Sequence, residues 1–454
     1  MAKKILLNAF DMNSAMHNAH GLWRHPLNQR NYTSLDYWVE QAKLLERGLF
    51  DAIFFADVLG YYDTYQGSRD AALRDAVQVP NNDPSLLIPA MAYATKHLGF
   101  AVTVPTTYEM PFAHARRMST LDHLTGGRIG WNIVTSFLPS AARNFGMDKM
   151  IAHDDRYEMA EEYLEVVYKL WEGSWEDDAV VRDLARGMYT DPAKVHEIRH
   201  EGAHYRVAGP HISEPSPQRT PVLLQAGASG RGREFSAKHA ECVFIDSHSF
   251  ESTKFYVDDI RAKAVANGRR PEDVKVFMAT NIVVGRTREE AEEKLREMTR
   301  LSSPEGPLAL YGGFSGIDLS QYDPDDYMGY KATDHGQASV ARFTTQSEKR
   351  LKVGEVIETV RKIGGRNSLI LGSPEEVADG MQAWMENTGI DGFNLANLIL
   401  PGTFQDVVDL VVPVLQERGL YKTEYDPGTL REKLFGGSGR LPERHPAASF
   451  RNLP

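Results

Sequence analysis

The stretch Gly227-Ala228-Ser229-Gly230-Arg231-Gly232 carries the most readable chemistry in the chain. It follows a short apolar run and opens a segment with helical spacing. That places unpaired backbone N–H groups and the positive end of a helix dipole together, a setting that attracts a phosphate. Ser229 adds a hydroxyl and Arg231 a charge. The pattern is not the G-x-G-x-x-G dinucleotide fingerprint, and no acidic residue stands at the distance that would complete one. A glycine-rich turn that holds no ligand is the competing reading. His153-Asp154-Asp155-Arg156-Tyr157 stands where another helix should begin. There the aspartates satisfy the helix start, and Arg156 or Tyr157 can reach a phosphate.

Polar residues also mark the tips of apolar runs: Asp57, Thr103, and the group from Asn132 to Ser136. Singly, each caps a strand. Together, at one end of a barrel, they converge on a mouth and can hydrogen-bond a planar heterocycle. His17, His20 and His25 follow the first apolar run, with Trp23 and Pro26 between them and no carboxylate at ligand spacing. They read as polar walls of an apolar pocket rather than metal ligands. His196-Glu197-Ile198-Arg199-His200 matches H-E-x-x-H, which needs a helix to bring both histidines to one face. Pro192 and Gly202 leave little room for one, and residues 205–207 read as a strand, so a hairpin is expected.

The elements that must position these groups alternate. Strands are expected over 5–10, 52–56, 100–104, 129–134, 222–225, 242–245, 274–284 and 393–398. Helices are expected over 35–49, 84–96, 113–124, 154–171, 231–239, 252–266, 288–299 and 403–418. Eight strands in β/α alternation point to a closed (β/α)8 barrel, with an open doubly wound sheet as the alternative. Residues 1–424 are expected to form this single domain, interrupted by insertions at about 173–219 and 301–350 that are expected to cover the catalytic face. Residues 425–454 form a C-terminal arm.

A chain of 454 residues, 42% hydrophobic and 25% charged, suits one large globular domain with insertions. The net charge of −11 opposes attraction to nucleic acid or anionic lipid. Cys242 is the only cysteine, which excludes an internal disulfide and fits a reducing compartment. No apolar run approaches the ~20 residues of a membrane helix, and the N-terminus lacks a signal-peptide core. A soluble cytoplasmic protein is expected.

The chain resembles the bacterial-luciferase-like FMN monooxygenases of the nitrilotriacetate monooxygenase branch over nearly its whole length. The resemblance rests on Ala19-His20-Gly21 with Trp23-Arg24-His25-Pro26, Ala115-Arg116-Arg117 through Thr120-Leu121-Asp122, and Gly127-Arg128-Ile129 leading to Trp131-Asn132. It continues in Pro215-Ser216-Pro217-Gln218-Arg219-Thr220-Pro221, Gln225-Ala226-Gly227 and Asp391-Gly392-Phe393-Asn394. Residues 304–318 look more like the dimethyl sulfide enzymes. Positions 14, 137 and 310 carry Ser, Phe and Leu, where the alkane-oxidising type has Cys, His and His. The dibenzothiophene sulfone type is more distant.

This resemblance implies FMN at the C-terminal mouth, with Asp57, Thr103, Asn132 and Ser136 near the ring or ribityl chain. It places His153, Tyr157, Ala228 and Ser229 around ribityl and phosphate. His17, His20, Tyr62 and Ser136 are the expected catalytic groups; Phe10, Ser14, Gln78, Phe137, Phe244 and Leu310 are the expected substrate pocket, and no metal is expected. FMN would arrive as FMNH2 from a separate NAD(P)H-dependent reductase, because the chain shows no second nucleotide fingerprint. The expected co-substrates are O2 and a small, weakly polar organic molecule, with an organosulfur compound such as dimethyl sulfide favoured. A homodimer or homotetramer is expected. Two other readings are a noncatalytic flavin-binding barrel, since a barrel alone does not prove catalysis, and a zinc hydrolase acting through His196 and His200.

Overall fold

The computed structural model describes residues 3–227, 229–246 and 248–451. The short apolar runs become parallel strands buried on both faces, which is why they lack polar alternation; every residue of Gly99–Pro105 is buried. The strands are β1 Leu6–Met12, β2 Ala52–Ala56, β3 Gly99–Pro105, β4 Ile129–Val134, β5 Val222–Ala226, β6 Cys242–Ile245, β7 Lys275–Val284, β8 Ser368–Gly372 and β9 Gly392–Ala396. All but β8 close a ring, in which β9 returns to β1 with Leu6 opposite Gly392 and Phe10 opposite Ala396. The fold is a TIM barrel, and the closure rules out the open sheet.

Strand β8 falls where no strand is expected, and its register explains a feature of the rim. The lower half of β7 pairs with β6 on one edge, where Ile245 lies opposite Met278, and with β9 on the other. Thr280 and Asn281 pair with β9 and β8 at once, so β8 lies on the β6 edge, beyond the end of β6. The rim therefore opens between Ile245 and Ser368. Beneath the mouth, Phe54 stacks on Phe10 at 5.2 Å and meets Phe244 at 4.4 Å, while Phe277 lies 5.6 Å from Phe244. These rings fill the barrel, so a ligand must sit on it rather than inside it.

Among the helices are α1 Leu35–Arg47, α2 Pro111–Thr125, α3 His153–Tyr168, α4 Gly230–His239, α5 Gly306–Ser315 and α6 Leu430–Phe435; α3, α4 and α5 border the mouth. The segment 173–219, expected over the mouth, lies elsewhere. It begins at the N-terminal ends of the strands and runs up the outside of the barrel along α3, where Glu162 holds His200 and Tyr205 and the Tyr205 hydroxyl donates to the Thr106 carbonyl. The Gln218 amide donates to Asp122 near the end of α2 and to the Ile129 carbonyl at the start of β4. Within this segment His200–Glu201 pairs antiparallel with Arg206–Val207, so the H-E-x-x-H stretch is not a helix. Its histidines turn to different carboxylates, His196 to Glu176 at 3.0 Å and His200 to Glu162 at 3.1 Å.

The segment 301–350 does reach across the mouth. Phe314 of α5 stacks on Phe137 at 4.6 Å, and the Asp334 carbonyl accepts from Arg156 Nη2 at 2.7 Å. The opposite end is sealed by α6, where Leu430 packs into the barrel interior and buried Arg431 pairs with Glu241 at 2.7 Å. No helix among the described residues is long and apolar enough to cross a membrane.

Candidate functional site

The β5–α4 turn gathers hydroxyls. Ser229 caps α4, its Oγ accepting from the Gly232 N–H at 3.0 Å. A Cβ at position 232 would lie 2.9 Å from the Tyr157 hydroxyl and 3.0 Å from Ser229 Oγ, so glycine there is what lets both hydroxyls approach the turn. Burial raises the Tyr157 pKa, while hydrogen bonds with Ser229 and Gln225 work against that rise. His153 sits at the start of α3 with its ring 5.2 Å from Tyr157, and its Nδ1 lies 2.7 Å from Asp154. Arg156 is turned away, bonded to carbonyls at Ile151 and Asp334. Ala228 lies outside the described residues.

Across the rim, Thr103 Oγ1 donates to the Phe55 carbonyl at 2.7 Å and accepts from Asn132 Nδ2 at 2.9 Å. This fixes the Asn132 amide and leaves its buried Oδ1 without a partner. On the neighbouring strand, Gln225 Oε1 is likewise buried and unpartnered. Asp57 follows β2, and its Oδ1 accepts from Val58 N–H at 2.9 Å and Asn81 Nδ2 at 3.0 Å. Burial, and then the nearby Asp83, push the Asp57 carboxyl up to about 7. Ser136, just past β4, holds a φ of 60°, a costly backbone state for a serine that clusters at functional sites.

A third group lies between these tips and the lid. Tyr62 donates to Gln78 Oε1 at 2.5 Å, and Gln78 Nε2 donates to the His17 carbonyl at 3.0 Å. Gln78 also has a positive φ of 55°. The His17 ring meets Phe10 edge-on at 4.3 Å. His20 is buried with neither ring nitrogen partnered, and burial, followed by the Arg366 charge, holds it down to about 3. Leu310 and His20 line one cavity of about 420 Å³ at the gap in the rim.

Two expected pocket residues are engaged by neighbours within the barrel and its first loop. Ser14 is fully buried, and its hydroxyl donates to the Met16 carbonyl at 2.8 Å. Phe244 belongs to the aromatic filling of the barrel. Four residues that matter lie outside the expected set. Gln225 is detectable as a polar side chain inside an apolar strand. Arg342, Arg366 and Asn367 line the cavity from the lid and the approach to β8, where no periodicity places them.

The unpartnered acceptors of Asn132 and Gln225 suit a planar heterocycle that carries N–H donors, and the Ser229–Gly232 turn suits a phosphate attached to it. FMN combines both features, and the residues present fit it.

Residues 13–392 match the model of the luciferase-like monooxygenases. The chain is 57% identical to the long-chain alkane monooxygenase of Geobacillus thermodenitrificans, covering all of this chain and 99% of that one. It is 50% identical to the dimethyl-sulfide monooxygenase of Hyphomicrobium sulfonivorans, over all of this chain and 95% of that protein. A riboflavin lyase solved with modified FMN and riboflavin superposes with a TM-score of 0.94 at 42% identity, covering 99% of this chain and all of that one. Closed barrel, strand-tip polar groups and full-length similarity agree: the chain belongs to the luciferase-like monooxygenases, a family of flavin-dependent oxidoreductases.

Proposed function

We propose that this chain is the oxygenase of a two-component system that takes FMNH2 from a separate NAD(P)H-dependent reductase in the cytoplasm and oxygenates a small organic molecule, with an organosulfur compound favoured. The observation that carries this reading is the pair of unpartnered acceptors on β4 and β5 beside a hydroxyl-lined helix start. When bound, reduced flavin supplies two electrons and activates O2, so that one oxygen atom enters the substrate and the other leaves as water.

The chain's own residues bind, orient and exclude water. Ser229 and Tyr157 hold the phosphate, while Asn132, Thr103 and Asp57 fix the ring. His20, neutral at pH 7, can accept a hydrogen bond at one nitrogen and donate one from the other beside the reacting centre. Phe314, packed on Phe137 and 5.9 Å from Tyr62, keeps bulk water from the mouth. Phe137 and Leu310 stand where the resemblance implies histidines in the alkane-oxidising type, and this supports a thioether over an alkane.

Oxygen uptake with FMN, NADH and an added flavin reductase tests the proposal, using dimethyl sulfide, longer thioethers, sulfones, alkanes and nitrilotriacetate. Uptake should respond to a thioether and require the reductase. NADH oxidation by the chain alone, or a response to nitrilotriacetate only, overturns it.

A further inference from the structure

The cavity at the gap between β6 and β8 is lined mostly by apolar surface, but one side of it carries a cluster of cations that a hydrocarbon or a simple sulfide would not need. Arg342, Arg361, Lys362 and Arg366 line it, against the single carboxylate of Asp246. Arg361 is occupied, donating to the Pro304 carbonyl at 2.9 Å. Arg366 lies with its guanidinium carbon 4.2 Å from the Phe314 ring centre, and its buried Nη1 has no hydrogen-bond acceptor. Arg342 lies similarly over Phe343 at 4.5 Å. Beside them Asn367 is 1% exposed, with both amide atoms unpartnered, and His20 is 2% exposed with both ring nitrogens unpartnered.

Burying donors and a cation without acceptors costs free energy unless a ligand supplies them. A guanidinium already resting on an aromatic face still offers its N–H edge to an oxyanion. The opposite wall, with Leu310, Tyr311 and Leu398, is apolar. We infer that this cavity is a subsite for an anionic group on the substrate, a carboxylate or sulfonate held by Arg366 and Arg342 with Asn367, while the apolar body of the molecule runs toward Phe314 and the mouth. The inference refines the proposed oxygenation, on which it rests for calling the ligand a substrate. It replaces a wholly weakly polar substrate with one that is apolar at the reacting end and charged at the other. Burial lowers Arg342 to about 10, as expected of a cation whose charge is incompletely matched by its surroundings.

Calorimetric titration of the full chain, without flavin, uses hexanoate, hexane-1-sulfonate, 1-hexanol and hexylammonium as probes. This separates the subsite from the oxygenase reading, because no turnover is involved. At least one of the two anions should bind about tenfold tighter than 1-hexanol, hexylammonium should bind least, and the preference should vanish in Arg366→Gln and shrink in Arg342→Gln. Thermal melts establish that each variant is folded, and either one alone suffices for the comparison. FMN titration of the same variants distinguishes the source of the anion: unchanged flavin affinity supports a substrate subsite. Equal binding of all four probes, binding of none, an anion preference that survives both substitutions, or loss of flavin affinity in the variants overturns the inference.

Discussion

At the scale of single residues, the site divides into groups whose position makes them legible and groups whose partners hide them. Ser229 is legible because a serine between a strand and a helix is an N-cap whatever else it does, and the structure gives it that bond. Ser229→Ala should weaken FMNH2 binding by about 1.5–3 kcal/mol if the phosphate bond is charge-assisted, and Tyr157→Phe less. Anaerobic titration measures both, and a melting curve separates the lost cap, worth about 1 kcal/mol. Asp57 is legible as a strand-tip carboxylate, but its pKa of about 7 is not, since that depends on burial and on Asp83. A carboxyl raised in the fold binds protons that the unfolded chain has released, so it lowers stability progressively as pH rises from about 4 through 7. Asp57→Asn should therefore stabilise the protein above pH 7 by about 1–2 kcal/mol, discounted because the side chain is partly exposed, and leave it little changed below pH 4. Melting temperatures across that range check the sign. Ser14 escapes a reading by residue type because its target, the Met16 carbonyl, is a matter of local backbone geometry.

At the scale of elements, the ring strands are readable because each is a short apolar run buried on both faces. Strand β8 is not. It pairs with β7 alone, alternates between buried and half-buried residues, and follows directly on the glycine-containing turn Gly364-Gly365. The insertions are legible as insertions, but the face each occupies is not: both follow a helix, and only tertiary contacts bring one alongside α2 and α3 and the other across the mouth. The lid depends on close approach: a Cβ at Gly313 would strike the Tyr62 ring. Gly313→Ala should tilt α5 off Tyr62 and lower oxygenation several-fold through loss of water exclusion, with FMNH2 affinity nearly unchanged. Substrate-coupled oxygen uptake compared with peroxide release reads this directly, and an unchanged ratio would show that α5 does not seal the mouth.

At the scale of the whole molecule, a barrel plugged by aromatic rings, closed below by Leu430 and Arg431 and covered above by a lid, leaves its functional surface at one end. The barrel, and the gathering of polar residues at its strand tips and at the glycine-rich turn, are legible in residue types and their spacing, because these are local features. The charge of the cavity between β6 and β8 is not, because Arg342 and Arg366 reach it from segments whose path only the folded chain reveals. The central claim is that this mouth uses reduced FMN and O2 to oxygenate an organic sulfide, and a single turnover with labelled oxygen tests it most directly. Protein loaded anaerobically with FMNH2 and 4-(methylthio)butanoate, then mixed with 18O2, should yield a product carrying one 18O atom per flavin oxidised, with the second 18O in water. Flavin oxidation that leaves all the label in hydrogen peroxide and water, with none in this thioether or in dimethyl sulfide, would contradict it.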